Sequence, residues 1–138
     1  KYGEKVYSPV IEKGEADIII SFEELESARW IPYLKKGGHL ITSVQKIDPM
    51  PVITGNMTYP EDIEDKVKNL GIDIISVDAL GLAEQAGTSK ASNVVLMGVL
   101  STKMGFDESV WQKALEQCVP PKFLELNKKA FALGVKNA

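Results

Sequence analysis

GEADIIISFEELESARWIPYLKKGGHLITS, residues 14–43, decides the fold. Residues 17–20 form a short Ile-rich run, which predicts a strand buried on both faces. Ser21 stops the run. With Glu24 three residues on, it predicts a capping box, the Ser21 hydroxyl and the Glu24 carboxylate each serving the other's backbone N–H. Leu25, Ala28, Ile31 and Leu34 follow at helical spacing, with Glu23, Glu26 and Lys35 expected on the wet side. Pro32 lacks an N–H and clashes with the turn before it, so the helix should break near Ile31. Gly37-Gly38 is expected to supply a left-handed C-cap, and residues 39–42 a second strand. Two apolar strands joined by one helix of this length are expected to run parallel, as one module of an α/β sheet.

Working outward, the rest of the chain repeats this alternation and then turns helical. Upstream, residues 2–8 (YGEKVYS) read as the second half of a β-hairpin, with Gly3-Glu4 at the turn and Val6 and Tyr7 in the outgoing strand. The incoming half is missing, so an N-terminally incomplete fragment is expected. Downstream, residues 45–60 hold Pro49, Pro51, Gly55, Asn56 and Pro60, too many breakers for a regular element; Val52 and Ile53 suggest a short edge strand. Pro60 opens a helix with Glu61 and Asp62 in its first turn, Ile63, Val67 and Leu70 as its apolar stripe and Gly71 at its end. Residues 72–77 are a third strand, and residues 78–87 a helical turn or a short helix. Residues 89–104 are apolar almost all round, which predicts a helix buried on more than one side. Gly98 in its middle costs about 1 kcal/mol relative to Ala, so a close neighbour is expected there. Asp107 caps the next helix, with Val110, Trp111, Ala114, Leu115 and Cys118 on one face. A last helix follows Pro120-Pro121 and carries Phe123, Leu126, Ala130 and Leu133.

Composition bounds the function. A chain of 138 residues is one domain by prior, here 1–138, and 44% apolar residues suffice for a core. A net charge of −3 offers no basic field for nucleic acid or an anionic membrane. Arg29 is the single arginine, which argues against a bidentate multi-Arg anion site. Cys118 is the single cysteine, too few for a disulfide within the chain or for an iron–sulfur cluster held by it, since a cluster takes about four Cys. No stretch approaches the ~20 apolar residues of a membrane span, and a cytoplasmic protein is the expectation.

The search for chemistry returns few positives. No glycine-rich phosphate loop follows a strand, and Gly37-Gly38 stands on the wrong side of its helix for one. No nucleophile elbow is present. His39 is the only histidine, so a histidine-based metal site is out and a triad would rest on that residue; a partly exposed position at the start of a strand explains it as well. Cys118 reads equally well as a buried structural thiol. No catalytic residue and no metal ligand is assigned. In α/β sheets ligands bind beyond the C-terminal ends of strands. That places Ser21, Phe22 and Glu23, residues 43–46 and residues 78–80 as positions for a contact. Ser21 is explained by capping, whereas Gln45 and Lys46 have no structural explanation.

The order of these pieces resembles a known family. The run YGEKVYSPVIEKGEADIIISFEELESARWIPYLKKGG, then a Gln-Lys-Ile-Asp-Pro loop, then SNVVLMGVL is similar to the γ-type domain of 2-oxoacid:ferredoxin oxidoreductases. Within that family it resembles the small β subunit of the indolepyruvate type. Tyr7-Ser8-Pro9 with residues 14–17, residues 33–38, and Asn93 with Leu96 and Gly98 carry the likeness, which runs over nearly the whole chain. Family members begin with a strand and a GxGGQG turn, followed by a Gly-Met-x-x-Arg-Gly-Gly segment, and neither is in this sequence.

The resemblance implies a three-layer, Rossmann-like, mostly parallel sheet with helices on both faces, lacking its N-terminal strand and glycine-rich turn. It implies a subunit, inactive alone, of an enzyme that oxidatively decarboxylates an aryl pyruvate with coenzyme A, giving an acyl-CoA, carbon dioxide and reduced ferredoxin. Thiamine diphosphate, Mg and the iron–sulfur clusters would sit on a large thiamine-dependent α subunit, with ferredoxin reached indirectly and no cofactor held here. Ser21, Glu23, Gln45, Lys46 and Asn93 are then the expected contacts with a ligand or that partner. Two other classes stay open. One is a stand-alone CoA- or nucleotide-binding α/β module, against which the missing phosphate loop counts. The other is a small hydrolase or isomerase, which would need a tuned residue such as His39 or Glu23.

Overall fold

The computed structural model describes residues 1–138. Three strands, β1 (Ala16–Ser21), β2 (Leu34–Ser43) and β3 (Asp73–Val77), form a parallel sheet in the order β1-β2-β3. Helices cover both faces. Alternation along each strand sends successive side chains to opposite sides. Ile18, Ile20, Ile41, Ile75 and Val77 join the larger core, under α4 (Ala79–Ala86), α5 (Ser92–Met104) and α7 (Leu124–Lys136). Ile19, Leu40 and Ile74 face the smaller core, under α1 (Glu24–Trp30) and α3 (Ile63–Asn69). Helices on both faces are what strands apolar on both sides require. The result is the three-layer α/β architecture expected from residues 14–43 and from the family resemblance.

Within that module the local devices differ from expectation. Helix α1 stops at Trp30, and Ile31–Tyr33 is a 3-10 turn containing Pro32, so the break falls where the proline predicted it. Gly37-Gly38 therefore caps no helix. The pair lies inside β2, where the register with β1 jumps from Ala16↔Leu34 to Ile18↔His39. Residues 35–38 bulge out, and Gly37 (φ 78°) makes the turn that a residue with a Cβ resists. At Gly38 a Cβ would stand 2.8 Å from the Asp17 carbonyl oxygen, so the bulge closes only around a glycine.

The breaker-rich stretch is not an edge strand. Pro51 takes a first-turn helical position, and α2 (Met50–Ile53) is a single turn containing Val52 and Ile53. Helix α3 starts later than Pro60. Asp62 is left-handed (φ 57°), which forbids a helix through it, and the hydrogen-bonded turn begins at Ile63. Residues 2–8 form no strand: no other strand lies beside them to complete a ladder. Tyr2, Val6 and Tyr7 are exposed, and the segment is held by a Lys1–Glu15 ion pair of 2.8 Å and by the Tyr2 ring, 5.9 Å from that of Phe106. Helix α6 (Glu108–Cys118) is capped by Asp107, whose carboxylate accepts from the Ser109 N–H at 2.8 Å. It buries no residue fully, because only Trp111 and Leu115 reach the core. Cys118 is consequently exposed rather than a buried thiol.

The tightest contact joins α5 and α7. Gly98 meets the Phe131 carbonyl and Gly134 meets the Val95 carbonyl, with the two glycine Cα atoms face to face. Val95, Val99, Ala130 and Phe131 are sealed around that crossing.

Candidate functional site

The C-terminal edge of the sheet is a knot of hydrogen bonds centred on Glu23. Its position follows from the chain path. Strand β1 runs through Ser21, so Ser21 is still extended and does not begin the helix. The Ser21 hydroxyl instead donates to the Glu23 carbonyl at 2.7 Å, turning the chain. Glu23, extended at φ −150°, becomes the N-cap of α1, and its Oε2 accepts from the Glu26 N–H at 2.7 Å. The expected Ser21–Glu24 capping box does not form. Glu23 does not face water either: it is 6% exposed.

The other carboxylate oxygen gathers the loop that follows β2. Glu23 Oε1 accepts from the Tyr59 hydroxyl and from the Ile47 N–H at 3.3 Å. Tyr59 in turn accepts from the Leu25 N–H at 3.2 Å. The Glu24 N–H donates to the Gln45 carbonyl at 3.0 Å. Beneath them the Thr42 hydroxyl donates to the Ser43 carbonyl at 3.1 Å, and the Val44 N–H to the Val77 carbonyl at 3.0 Å. The ends of all three strands are thus tied together.

Burial raises the Glu23 carboxyl, but the Tyr59 hydroxyl and the surrounding backbone N–H groups outweigh it and hold the group below the usual carboxylate range. Burial, followed by the adjacent Glu23 charge, pushes the Tyr59 phenol far above its ordinary value. Both favour a carboxylate that accepts and a phenol that donates. A group with a depressed folded-state pKa adds stability above its unfolded value and loses it as pH falls. Unfolding followed against pH should therefore show stability falling below about pH 4.3. Tyr59→Phe should make that fall shallower by removing one cause of the depression. Equal slopes in the two proteins would contradict the assignment.

Of the five expected contact residues, four meet here. Ser21 and Glu23 shape the turn. Gln45 contributes its backbone, and its side chain is exposed. Lys46 stands 3.5 Å from Glu24 Oε2, a buried oxygen without a hydrogen bond, and 5.7 Å from the centre of the Tyr59 ring. Asn93 lies apart, exposed in the first turn of α5, with no hydrogen bond to the other four. Beside Glu23 a shallow depression of about 470 Å³ is lined by Ile20, Phe22, Trp30 and Tyr33, the last two rings 5.2 Å apart. Tyr59 was missed in the sequence. It is 36 positions from Glu23, and only its place at the end of a breaker-rich stretch marks it.

His39 is at the other edge of the sheet, with Nδ1 2.6 Å from Asp73 Oδ2 and Lys103 4.0 Å from the same oxygen. It is therefore remote from the knot. No group of three or more His, Cys, Asp or Glu side chains is placed to hold a metal ion. No helix is long and apolar enough to cross a membrane. The Glu23 oxygens are both taken up by groups of the chain itself, whereas the buried Glu24 Oε2 beside them accepts no hydrogen bond.

Comparison with known proteins gives a consistent result. Residues 2–137 match the pyruvate ferredoxin/flavodoxin oxidoreductase family. The indolepyruvate oxidoreductase subunit IorB of Thermococcus kodakarensis is 41% identical over 143 residues, spanning 100% of this chain and 71% of that one. The subunit of the same name from Archaeoglobus fulgidus is 33% identical over 137 residues, covering 96% and 68% of the two chains. Among solved structures, the gamma subunit of a keto/oxoacid ferredoxin oxidoreductase from Geobacter sulfurreducens superposes with a TM-score of 0.66 over 94% of this chain and 68% of that one. At 21% identity that likeness shows the fold.

Proposed function

The chain belongs to the pyruvate ferredoxin/flavodoxin oxidoreductase family, and from that premise we propose that it is the subunit carrying no cofactor in an indolepyruvate-type ferredoxin oxidoreductase. The reaction would be oxidative decarboxylation of an aryl pyruvate with coenzyme A to an acyl-CoA, carbon dioxide and reduced ferredoxin. Thiamine diphosphate, Mg and the iron–sulfur clusters belong in this reading to a large partner subunit, with ferredoxin reached through it. No group of three or more His, Cys, Asp or Glu side chains is placed for a metal ion, and one cysteine, Cys118, stands where an iron–sulfur cluster takes about four. No chemical step is therefore assigned to this chain. Residues 1–138 form a single γ-type domain acting in the cytoplasm, and Ser21, Glu23, Gln45 and Lys46 lie on the edge turned to the partner or its ligand, with Asn93 a further contact.

The observation that carries the reading is likeness along the entire chain to proteins named as subunits of an indolepyruvate oxidoreductase. The Glu23 knot supports it, because the Glu23 carboxylate at the C-terminal edge of the sheet is engaged within the chain. Co-expression with the cognate large subunit tests it. Size-exclusion chromatography should give one hetero-oligomer containing both chains. Separate elution of the two would overturn the reading.

A further inference from the structure

Residues 47–59 leave the sheet edge and return to it at a single atom. The Ile47 N–H at one end and the Tyr59 hydroxyl at the other both donate to Glu23 Oε1. Between those ends the chain is bonded only to itself. The Ile53 and Thr54 N–H groups donate to the Pro49 and Met50 carbonyls at 3.1 and 2.9 Å. The Asn56 and Met57 N–H groups both donate to the Pro51 carbonyl, at 2.9 and 3.0 Å. The Thr54 hydroxyl donates to the Met50 carbonyl at 3.0 Å and accepts from the Asn56 amide at 3.0 Å. No hydrogen bond runs from residues 48–58 to the rest of the protein.

Packing adds little to this attachment. None of residues 48–58 is buried, and only Pro49 and Val52 are half-buried. The segment has no stability of its own either. Its one helical turn, Met50–Ile53, is far shorter than the roughly 12–15 residues that an isolated helix needs in water. The internal bonds therefore hold only while the two ends are held. A stretch with few buried contacts and solvent-exposed backbone bonds opens locally, at a free energy well below that of global unfolding.

We infer that residues 47–59 are a lid on the C-terminal edge of the sheet, latched at Glu23 Oε1, which opens as one unit while the sheet stays folded. Two carboxylates lie at the latch. Glu23 is 6% exposed, and the Glu24 side chain is 14% exposed, with an Oε2 that accepts no hydrogen bond. Lys46, just before the lid, links the two parts: its Nζ is 3.5 Å from Glu24 Oε2 and 5.7 Å from the centre of the Tyr59 ring. Opening frees Glu23 Oε1 from both of its lid donors and gives access to this acidic pair at the edge where α/β sheets take their ligands. The inference goes beyond the proposed function and does not depend on it.

Amide hydrogen exchange, followed residue by residue on the whole chain, tests it. The Ile53, Thr54, Asn56 and Met57 amides should share one opening constant and exchange faster than those of Leu40 and Ile41 in the sealed part of β2. Tyr59→Phe removes the latch hydroxyl and should speed all four by about fivefold, the net value of one hydrogen bond. Gly134→Ala places a Cβ 2.0 Å from the Val95 carbonyl oxygen, far from the lid. It should speed the β2 amides and leave these four unchanged, because the lid opens without the core. Four unrelated rates, or no response to Tyr59→Phe, would overturn the inference, since nothing would then latch the loop. Equal acceleration of the four amides and of β2 by Gly134→Ala would overturn it too, since the loop would then open only when the whole protein unfolds.

Discussion

Gly134→Ala is expected to destabilise the protein by about 3 kcal/mol, lowering its melting temperature by roughly 10 °C. Two effects oppose each other. Alanine is the better helix former, and the exchange should gain about 1 kcal/mol within α7 taken alone. Across the crossing, however, the new methyl would lie 2.0 Å from the Val95 carbonyl oxygen, a backbone atom inside a helix that cannot swing aside. The helices must separate, and Val95, Val99, Ala130 and Phe131, each 0–2% exposed, lose contact together. Overpacking therefore wins. Gly98→Ala meets the Phe131 carbonyl at 2.2 Å and should behave alike. Because the two positions share one contact, the double variant should cost less than the sum of the singles. Calorimetry on the three proteins reads the result. A Gly134→Ala protein as stable as the parent would show that α5 and α7 do not cross at their glycines.

Glu23→Ala is expected to cost about 2 kcal/mol and to leave the fold intact. Loss of an N-cap is worth about 1 kcal/mol. The remainder comes from the Tyr59 hydroxyl and the Ile47 N–H, donors that lose their acceptor; water reaches Ile47 and offsets part of the penalty. Tyr59→Phe keeps the cap and removes one donor, so about 1 kcal/mol is expected. A double-mutant cycle should show coupling, because both substitutions break the same bond. Denaturant melts of the four proteins test this, and strict additivity would contradict a direct Glu23–Tyr59 bond.

These two cases also show what could be seen in the amino-acid order. Gly98 called for a close neighbour because a glycine inside an apolar helix is costly without one. Its partner, Gly134, could not be named, because the contact joins residues distant in sequence. Pro32 ended α1 where a missing N–H must. Gly37-Gly38 was misplaced because a positive φ serves a helix cap and a strand bulge equally, and only the pairing of β1 with β2 tells them apart. Ser21 and Glu24 have the spacing of a capping box, yet β1 stays extended through Ser21, which moves the cap to Glu23. The sheet edge bearing Ser21, Glu23, Gln45 and Lys46 was legible from strand ends alone. The acceptor role of Glu23 was not, since it depends on Tyr59 returning from a loop without periodicity.

Family membership and the layered fold make this chain a subunit of an oxidoreductase; its dependence on a partner is the part to measure. The direct measurement is reduction of ferredoxin with indolepyruvate and coenzyme A, made with this chain, the large subunit, and the two combined. Full turnover should require the combination, and this chain by itself should give none at any concentration. Ferredoxin reduction by this chain alone would contradict a role without cofactors of its own.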